Sequence, residues 1–572
     1  MTVIDNILQL NTLDRALGHL VDKQSESNNK YLGVVAALAS YALRQGHVCL
    51  DLKELKNSEF AEYFEPHFLE EPSEYLKATK MIGSPLDSTR PLILTDNHKL
   101  YLHRYWHYEH HLLTLLKERL KSPLRSSNQN KLDDFLESNA SSGEDQKTAI
   151  SLANYSQLTL ISGGPGTGKT TTVLYILAFM IAQSPQAPLR IGIAAPTGKA
   201  AQRIQNSLES NIEGLDLSHE NKAKIPTEAV TLHRLLAYQR NSIEFKHNRK
   251  NPLPYDLVIV DEASMLDLLM FSKLLESLKP TSKLILLGDR HQLASVEAGS
   301  IFGDLVQASL SNKALALRVI ELNQNFRFGN NSPLFLACEA IKTGNALETL
   351  AIMESQNTEF SLRPLPTPQK LFQALEASIL FHFISVTEAK SPEEALGLVE
   401  KEAILSPIRS GRFGVEGLNE TIESLIRSKL NIVKQNFHFS GQPILITENS
   451  YSQRLFNGDL GILFAPPDRP EELFAYFKDN KEEELKRFPI SALPNFEQAY
   501  ALTVHKSQGS EYNKVFFIIP PGESPLLTRE LIYTAISRSR KSVEIWGSKE
   551  DLALAIENQT KRTSGVLDAM SG

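Results

Sequence analysis

The chain has 572 residues and a mass of 63.9 kDa, too long for one hydrophobic core, and typical domain sizes divide it into roughly three to four units. Hydrophobic residues make up 42% and charged residues 22%, ordinary for a globular protein, and no apolar run, that at 173–182 included, reaches the roughly 20 residues that span a bilayer. A net charge of −7 and a pI near 6.1 exclude a generally basic surface but leave room for a local basic groove that meets phosphates.

Along the chain, residues 1–11 carry Asp5 early and lack a long apolar core or a cleavage site, so they do not read as a signal peptide. Cys49 and Cys338, the two cysteines, lie far apart in sequence, which argues against a disulfide scaffold or a cysteine-rich metal site and fits a reducing, cytoplasmic setting. Residues 1–120 are predicted mostly helical, with apolar periodicity over 31–43 and 105–120. Residues 121–144 are polar, rich in Ser and Asn, and read as a linker with a possible short helix over 130–138. From residue 145 short apolar runs alternate with helical patterns: 157–162, 190–195, 256–260, 283–287 and 318–322 are predicted buried strands of one parallel sheet covered by helices on both faces. A second set at 403–406, 443–446, 461–464, 500–504 and 514–519 predicts a second α/β lobe, entered through a helical stretch over 332–399. The expected architecture is α/β: a helical N-terminal unit over 1–120, a linker over 121–144, and lobes over 145–330 and 331–572.

Gly163, Gly164, Pro165, Gly166, Thr167, Gly168, Lys169 and Thr170 fit the pattern G-x-x-x-x-G-K-[ST], with a predicted strand running in and a predicted helix, from Thr171 on, running out. Glycines let the backbone turn its N–H groups onto phosphates at the positive end of a helix. Lys169 would neutralise the β- and γ-phosphates of ATP, and Thr170 would offer a hydroxyl to Mg²⁺. Residues 257–260 end a strand in Asp261 and Glu262, two adjacent carboxylates that are costly to bury unless they meet a metal or a cation. Asp261 is accordingly expected on Mg²⁺ and Glu262 on the attacking water. A third strand end, Gly288–Asp289, is followed by Gln292, a neutral amide suited to sensing the γ-phosphate or orienting the water.

The order of this loop, Asp261-Glu262-Ala263-Ser264-Met265, residues 288–293, 503–511 and Tyr533-Thr534-Ala535-Ile536-Ser537-Arg538 resembles the superfamily 1 helicases over about residues 145–543. Within them it is most similar to the superfamily 1B family of RecD, the α subunits of exodeoxyribonuclease V (RecBCD), to which residues 48–52, 100–106, 412–414 and 455–459 are also similar. The resemblance implies two RecA-like P-loop NTPase lobes with parallel sheets behind a mostly helical N-terminal domain that docks to partner chains. It places Gln146 as the adenine-reading glutamine, and Arg327 and Arg538 as arginines that reach the γ-phosphate across the cleft. It also implies DNA contacts by Pro196, Thr197 and Lys199, by the segment of His233, and by Thr503, His505 and Lys506. The two histidines are also readable as satisfied residues within the lobes. The basic segment 242–252 lies where related helicases carry a strand-splitting hairpin, and is also readable as a solvated loop. Ser537 stands where many relatives have Thr, which keeps the hydroxyl, and no nuclease-type acidic and lysine cluster follows Arg538. The implied function is a 5′-to-3′ ATP-dependent DNA helicase acting at double-strand DNA ends with RecB-like and RecC-like partners, one of which supplies the nuclease. A stand-alone helicase, a nucleotide-switched regulatory subunit and an RNA helicase are the alternatives.

Overall fold

The computed structural model describes the chain except residues 1, 26–28, 78, 88, 123–128, 139–142, 184–188, 240, 241, 243, 330, 356, 434–436, 451, 467, 468, 470, 479–484, 523 and 572. Most of the polar 121–144 segment therefore lies outside the described residues, apart from helix Gln129–Ser138 and the ends. Among the described residues the strands form four sheets, and no helix is long and apolar enough to cross a membrane.

The N-terminal unit is built on helix Leu32–Arg44, apolar around nearly its whole circumference and buried accordingly. Helix Thr12–Ser25 packs against it and brings Asp14 into the core, where Arg44 Nε (3.0 Å) and Ser40 Oγ (2.7 Å) donate to its carboxylate. Alongside lies a small sheet of strands β1 (Leu50–Asp51), β2 (Ile82–Gly83), β3 (Leu92–Leu94) and β4 (Lys99–Leu102), ordered β1-β4-β3-β2. Strands of two to four residues carry too little alternation to be seen in a sequence. The two segments flagged near residues 50 and 100 pair here, Leu50 opposite Leu100.

The first lobe is a parallel sheet of β5 (Leu158–Gly163), β6 (Ile191–Ala195), β7 (Ala229–Thr231), β8 (Leu257–Val260), β9 (Lys283–Gly288) and β10 (Val319–Leu322), ordered β10-β5-β9-β8-β6-β7. Its residues alternate between two cores. Ile161, Ile193, Ile259 and Ile285 face helices Glu144–Tyr155, Lys169–Gln183 and Gly198–Asn211. Leu160, Ala194, Val258 and Leu286 face helices Leu268–Ser277 and Ile301–Ala308. Helix His103–Leu120 of the N-terminal unit buries Leu112 and Leu116 in that second core, and its Arg119 donates to the carbonyls of Ser282 (2.9 Å) and Lys279 (3.0 Å).

The second lobe holds a parallel sheet of β11 (Phe360–Arg363), β12 (Glu402–Ser406), β18 (Ala501–Thr503), β19 (Tyr512–Ile518) and β20 (Ser539–Trp546), ordered β11-β20-β19-β12-β18. Between β12 and β18 the chain builds a separate antiparallel sheet from β13 (Gln442–Ile446), β14 (Leu460–Phe464), β15 (Phe474–Phe477), β16 (Lys486–Pro489) and β17 (Phe496–Gln498). This corrects the expectation for 443–446 and 461–464: both are strands, but not of the lobe's parallel sheet. A short buried apolar run does not encode its partner or its direction. Packing decides here, since Gly461 lies opposite Phe477 and leaves room for its ring, where a Cβ would come within 2.4 Å.

A further departure is the C-terminal tail. After helix Lys549–Glu557 the chain leaves the second lobe and lies between the first lobe and the N-terminal unit, so the span 331–572 is not one packed body. Val48 N–H donates to Thr563 O (2.8 Å), Ser564 Oγ to Asp304 (2.7 Å), and Gly565 N–H to Glu109 (3.0 Å). Val566 and Met570 join the first lobe's core.

Candidate nucleotide site and interlobe cleft

In a parallel sheet the strand ends that point the same way collect the loops of a site. Here β5, β9 and β8 lie side by side and end in Gly163, Gly288 and Val260, so the glycine loop, Asp289 and Asp261 come out on one edge. Gly166 (φ +83°) and Gly168 (φ +78°) hold left-handed backbone, and a Cβ on Gly168 would come within 2.4 Å of Gln146 Nε2. Gln146 is buried at the start of helix Glu144–Tyr155 and donates to Gly168 O (3.4 Å), so it touches the loop itself. Thr167 Oγ1 donates to Gly164 O (2.8 Å), and Lys169 Nζ donates to Gly163 O (2.6 Å) and Gly164 O (3.2 Å). Helix Lys169–Gln183 starts at the loop's end and buries Val173, Leu174 and Ile176 through Ile181, which anchors the loop in the lobe.

A cavity of about 290 Å³ opens over this loop. Gly164, Pro165, Gly166, Gly168, Lys169, Thr170, Thr171, Asp261, Glu262 and Gln292 line it from the first lobe, with Arg327 on the link between the lobes and Arg538 from the second. Asp261 accepts the N–H of Glu262 (2.8 Å), and burial beside Glu262 pushes its carboxyl up, Lys169 opposing. Glu262 takes a left-handed backbone (φ +53°), which for a residue other than glycine is a strained turn out of β8.

The lobes are joined here by buried polar contacts. Arg538, 2% exposed, donates to Gln292 Oε1 (3.0 Å) and to Thr534 O (3.2 Å). Gln292 Nε2 donates to Asp289 Oδ2 (3.0 Å), which also accepts the Tyr533 hydroxyl (2.9 Å), and Leu293 N–H donates to Thr534 Oγ1 (2.8 Å). Arg327 is ion-paired with Glu511, yet its Nη1 is buried without a hydrogen-bond partner among the described residues. A buried guanidinium donor without an acceptor costs free energy, and an anion in the adjoining cavity would satisfy it. A phosphate-bearing ligand therefore fits: glycine turns, Lys169, an orphan arginine donor and a buried carboxylate face one volume.

A larger cleft of about 660 Å³ adjoins this cavity. Thr170, Lys199, Thr231 and Arg234 line it from the first lobe, and Arg454, Phe456, Lys486 and Arg540 from the second. Phe456 lies over Gly198, where a Cβ would meet its ring at 3.2 Å. Thr197, Thr231 and Thr503 each use Oγ1 to accept a backbone N–H three residues on, from Ala200 (3.2 Å), Arg234 (3.3 Å) and Lys506 (3.3 Å), and each keeps its O–H to donate. Pro196, Thr197, His233, Thr503, His505 and Lys506 are not among the residues lining either cavity. Lys506 is paired with Glu497 (2.5 Å), and His505 is half-buried in the field of Arg562, burial and that charge both lowering its pKa. His233 is exposed and edge-on to Phe245 (centroids 5.8 Å apart) in the basic segment, which forms the bridges Tyr238–Phe245 and Asn248–Asn251. Sequence reasoning missed Arg203, which lines both cavities, and gave no role to its pairing partner Glu511, which closes the 503–511 motif. The available signal was spacing: Arg203 follows Lys199 by four residues, on one face of a helix.

These features define a two-lobed P-loop nucleotide motor of the helicase class. Three family models match the chain: an AAA domain over residues 146–298, a UvrD-like helicase C-terminal domain over 498–545, and the N-terminal domain of RecBCD enzyme subunit RecD over 8–101. The RecBCD enzyme subunit RecD of Mycolicibacterium smegmatis is 34% identical over 93% of this chain and 92% of its own length. That of Haemophilus influenzae is 29% identical over 93% and 92%. The ATP-dependent RecD2 DNA helicase of Deinococcus radiodurans is 30% identical over 83% of this chain and 58% of its own. The chain belongs to the RecD family of RecBCD enzyme subunits.

Proposed function

We propose that the chain is an ATP-dependent DNA helicase and translocase moving 5′ to 3′, the motor subunit of a RecBCD-like complex that works on double-strand DNA ends in recombinational repair in the cytoplasm, with nuclease chemistry in a partner chain. The observation that carries this reading is the single cavity that takes Lys169, Asp261, Glu262 and Gln292 from one lobe and Arg538 from the other, beside a cleft lined with basic residues. The match of residues 8–101 to the N-terminal domain of a complex subunit favours assembly with RecB-like and RecC-like chains over a stand-alone motor. In this reading residues 1–120 dock to those chains, 121–144 link, and 145–330 and 331–557 supply the lobes, with the tail beyond them packed on the first lobe and the N-terminal unit.

The loop 163–171 binds the phosphates of ATP through its backbone and Lys169, with Gln146 behind it for the base. Thr170 and Asp261 would hold Mg²⁺, which supplies charge neutralisation on the phosphate oxygens when bound. Glu262 orients and deprotonates the attacking water, and Gln292 reads the γ-phosphate. Arg327 and Arg538 stabilise the charge that develops on the transferred group, and because Arg538 comes from the second lobe, hydrolysis requires a closed cleft. Lys199, Pro196, Thr197, His233, Thr503, His505 and Lys506 grip the strand backbone without reading its sequence.

The test is ATP hydrolysis by the purified chain with and without single-stranded DNA, alongside Lys169→Gln. DNA should stimulate the rate strongly, and the substitution should abolish it by roughly a hundredfold or more. Hydrolysis indifferent to DNA would leave the nucleotide site standing but overturn the motor. Polarity is read on forked substrates: unwinding only from a 3′ tail would reverse the assigned direction.

A further inference from the structure

Arg203 stands where the two cavities meet. It lies on helix Gly198–Asn211 one turn beyond Lys199, so both side chains leave the same face. Its guanidinium faces carboxylates of different lobes: Nη1 is 3.9 Å from Glu262 Oε1, and Nη2 is hydrogen-bonded to Glu511. Glu511 is 8% exposed at its side chain and also pairs with Arg327 and with Arg540 (2.9 Å). Burial raises the Glu511 carboxyl, but Arg203, Arg327 and Arg540 outweigh it and hold it at about 2, so this residue remains an anion.

We infer that Arg203 is a positioning residue that couples the strand cleft to hydrolysis, by being shared between Glu262, Glu511 and a nucleic-acid phosphate. The inference rests on the role of Glu262 proposed above. A guanidinium presents its donors in a fixed plane, and a carboxylate that accepts them gives up the lone pairs it needs to orient a water. At 3.9 Å the contact to Glu262 is Coulombic and no hydrogen bond, because Glu511 already holds Arg203. When the lobes part, Glu511 withdraws and Glu262 is the nearest remaining carboxylate, so the guanidinium turns to it and occupies it. A DNA phosphate beside Lys199 is a third acceptor and acts as Glu511 does, drawing Arg203 away. Closure and DNA thus both release Glu262 to its water, and their absence silences it.

The experiment is steady-state ATP hydrolysis by the full chain with and without single-stranded oligodeoxythymidylate, with the affinity for fluorescent ADP as a control on folding and nucleotide binding. Arg203→Ala should raise the DNA-free rate, lower the stimulation ratio roughly fivefold or more, and leave ADP affinity unchanged. Arg203→Lys, which keeps the charge without the planar fork, should give an intermediate ratio. Glu511→Gln should depress the stimulated rate, and adding Arg203→Ala to it should recover part of that loss. An unchanged ratio in Arg203→Ala, or an equal fall with and without DNA, would overturn the coupling. Glu262→Gln in the same series separates the two readings. An active Glu262→Gln removes the role of Glu262, while an inactive one beside an unchanged Arg203→Ala ratio removes only the coupling.

Discussion

Asp289 is the meeting point of the lobes at residue scale. It is 1% exposed and accepts from Gln292 of its own lobe and from Tyr533 of the other. Removing one donor from a buried carboxylate leaves acceptor capacity unsatisfied. Tyr533→Phe should therefore weaken cleft closure by about 1–2 kcal/mol, read as roughly a five- to thirtyfold rise in KM for ATP with kcat retained. An unchanged KM would place this bond outside the closing motion. A second buried carboxylate, Glu109, holds the tail. Burial pushes it up to about 7, against the donors Gly565 N–H and Tyr101 O–H and the charge of Lys99. A carboxyl raised in the folded state favours folding fully below its unfolded value and loses that contribution as pH rises through the folded one. Stability at this junction should thus fall between about pH 4.5 and 7, by about 3 kcal/mol. Asp304, raised by burial to about 6, adds in the same direction. Melting temperatures across that window, compared with Glu109→Gln, measure it: the variant should keep only the smaller slope due to Asp304.

At the scale of elements, β5 does two jobs with one alternating pattern. Leu160 and Ile161 point into opposite cores, and the strand ends in Gly163 where the phosphate loop begins. Leu160→Ala removes a fully buried side chain from the core shared with helix His103–Leu120 and should cost about 2–5 kcal/mol, seen in denaturant unfolding. Five of this lobe's six strands were legible because 157–162, 190–195, 256–260, 283–287 and 318–322 hold short apolar runs bounded by turn residues, while the three-residue, half-buried β7 gave no such signal. Strand β11 was not legible: of Phe360, Ser361, Leu362 and Arg363 only Phe360 is buried, so a helical reading of 332–399 swallowed it. Of the antiparallel sheet only β13 and β14 were legible; the apolar β15 (Phe474–Phe477) was passed over, and the edge β16 (Lys486–Pro489) is too polar to signal a strand.

For the whole molecule, the tail ties the second lobe to the other two units. Gly565 sits so tightly that a Cβ would come within 2.4 Å of Glu109 and 2.5 Å of the Tyr101 hydroxyl. Arg562 donates to the carbonyls of Glu297 (3.0 Å) and Gly299 (3.1 Å) in the first lobe. Truncation after Asn558 should leave the parallel sheets folded but strip the cover from Glu109 and Lys99. Hydrogen exchange should then rise in β1, β4 and helix His103–Leu120 while β5 and β9 stay protected. Exchange that rises uniformly would instead make the tail part of the global fold.

The sequence by itself determined the phosphate-loop pattern and the carboxylates at the strand ends, because both are local: Lys169, Asp261 and Glu262 are set by spacing from the strands that carry them. It also determined that two α/β lobes exist, through apolar runs that need both faces covered. Only the tertiary structure decided what crosses between units. Arg203 beside Glu511, Tyr533 on Asp289, and the tail against Glu109 each join residues more than 200 positions apart. Such pairs leave no period or motif in the chain, since each partner alone is an ordinary charged or polar residue until the lobes bring them within a few ångströms and exclude water from between them.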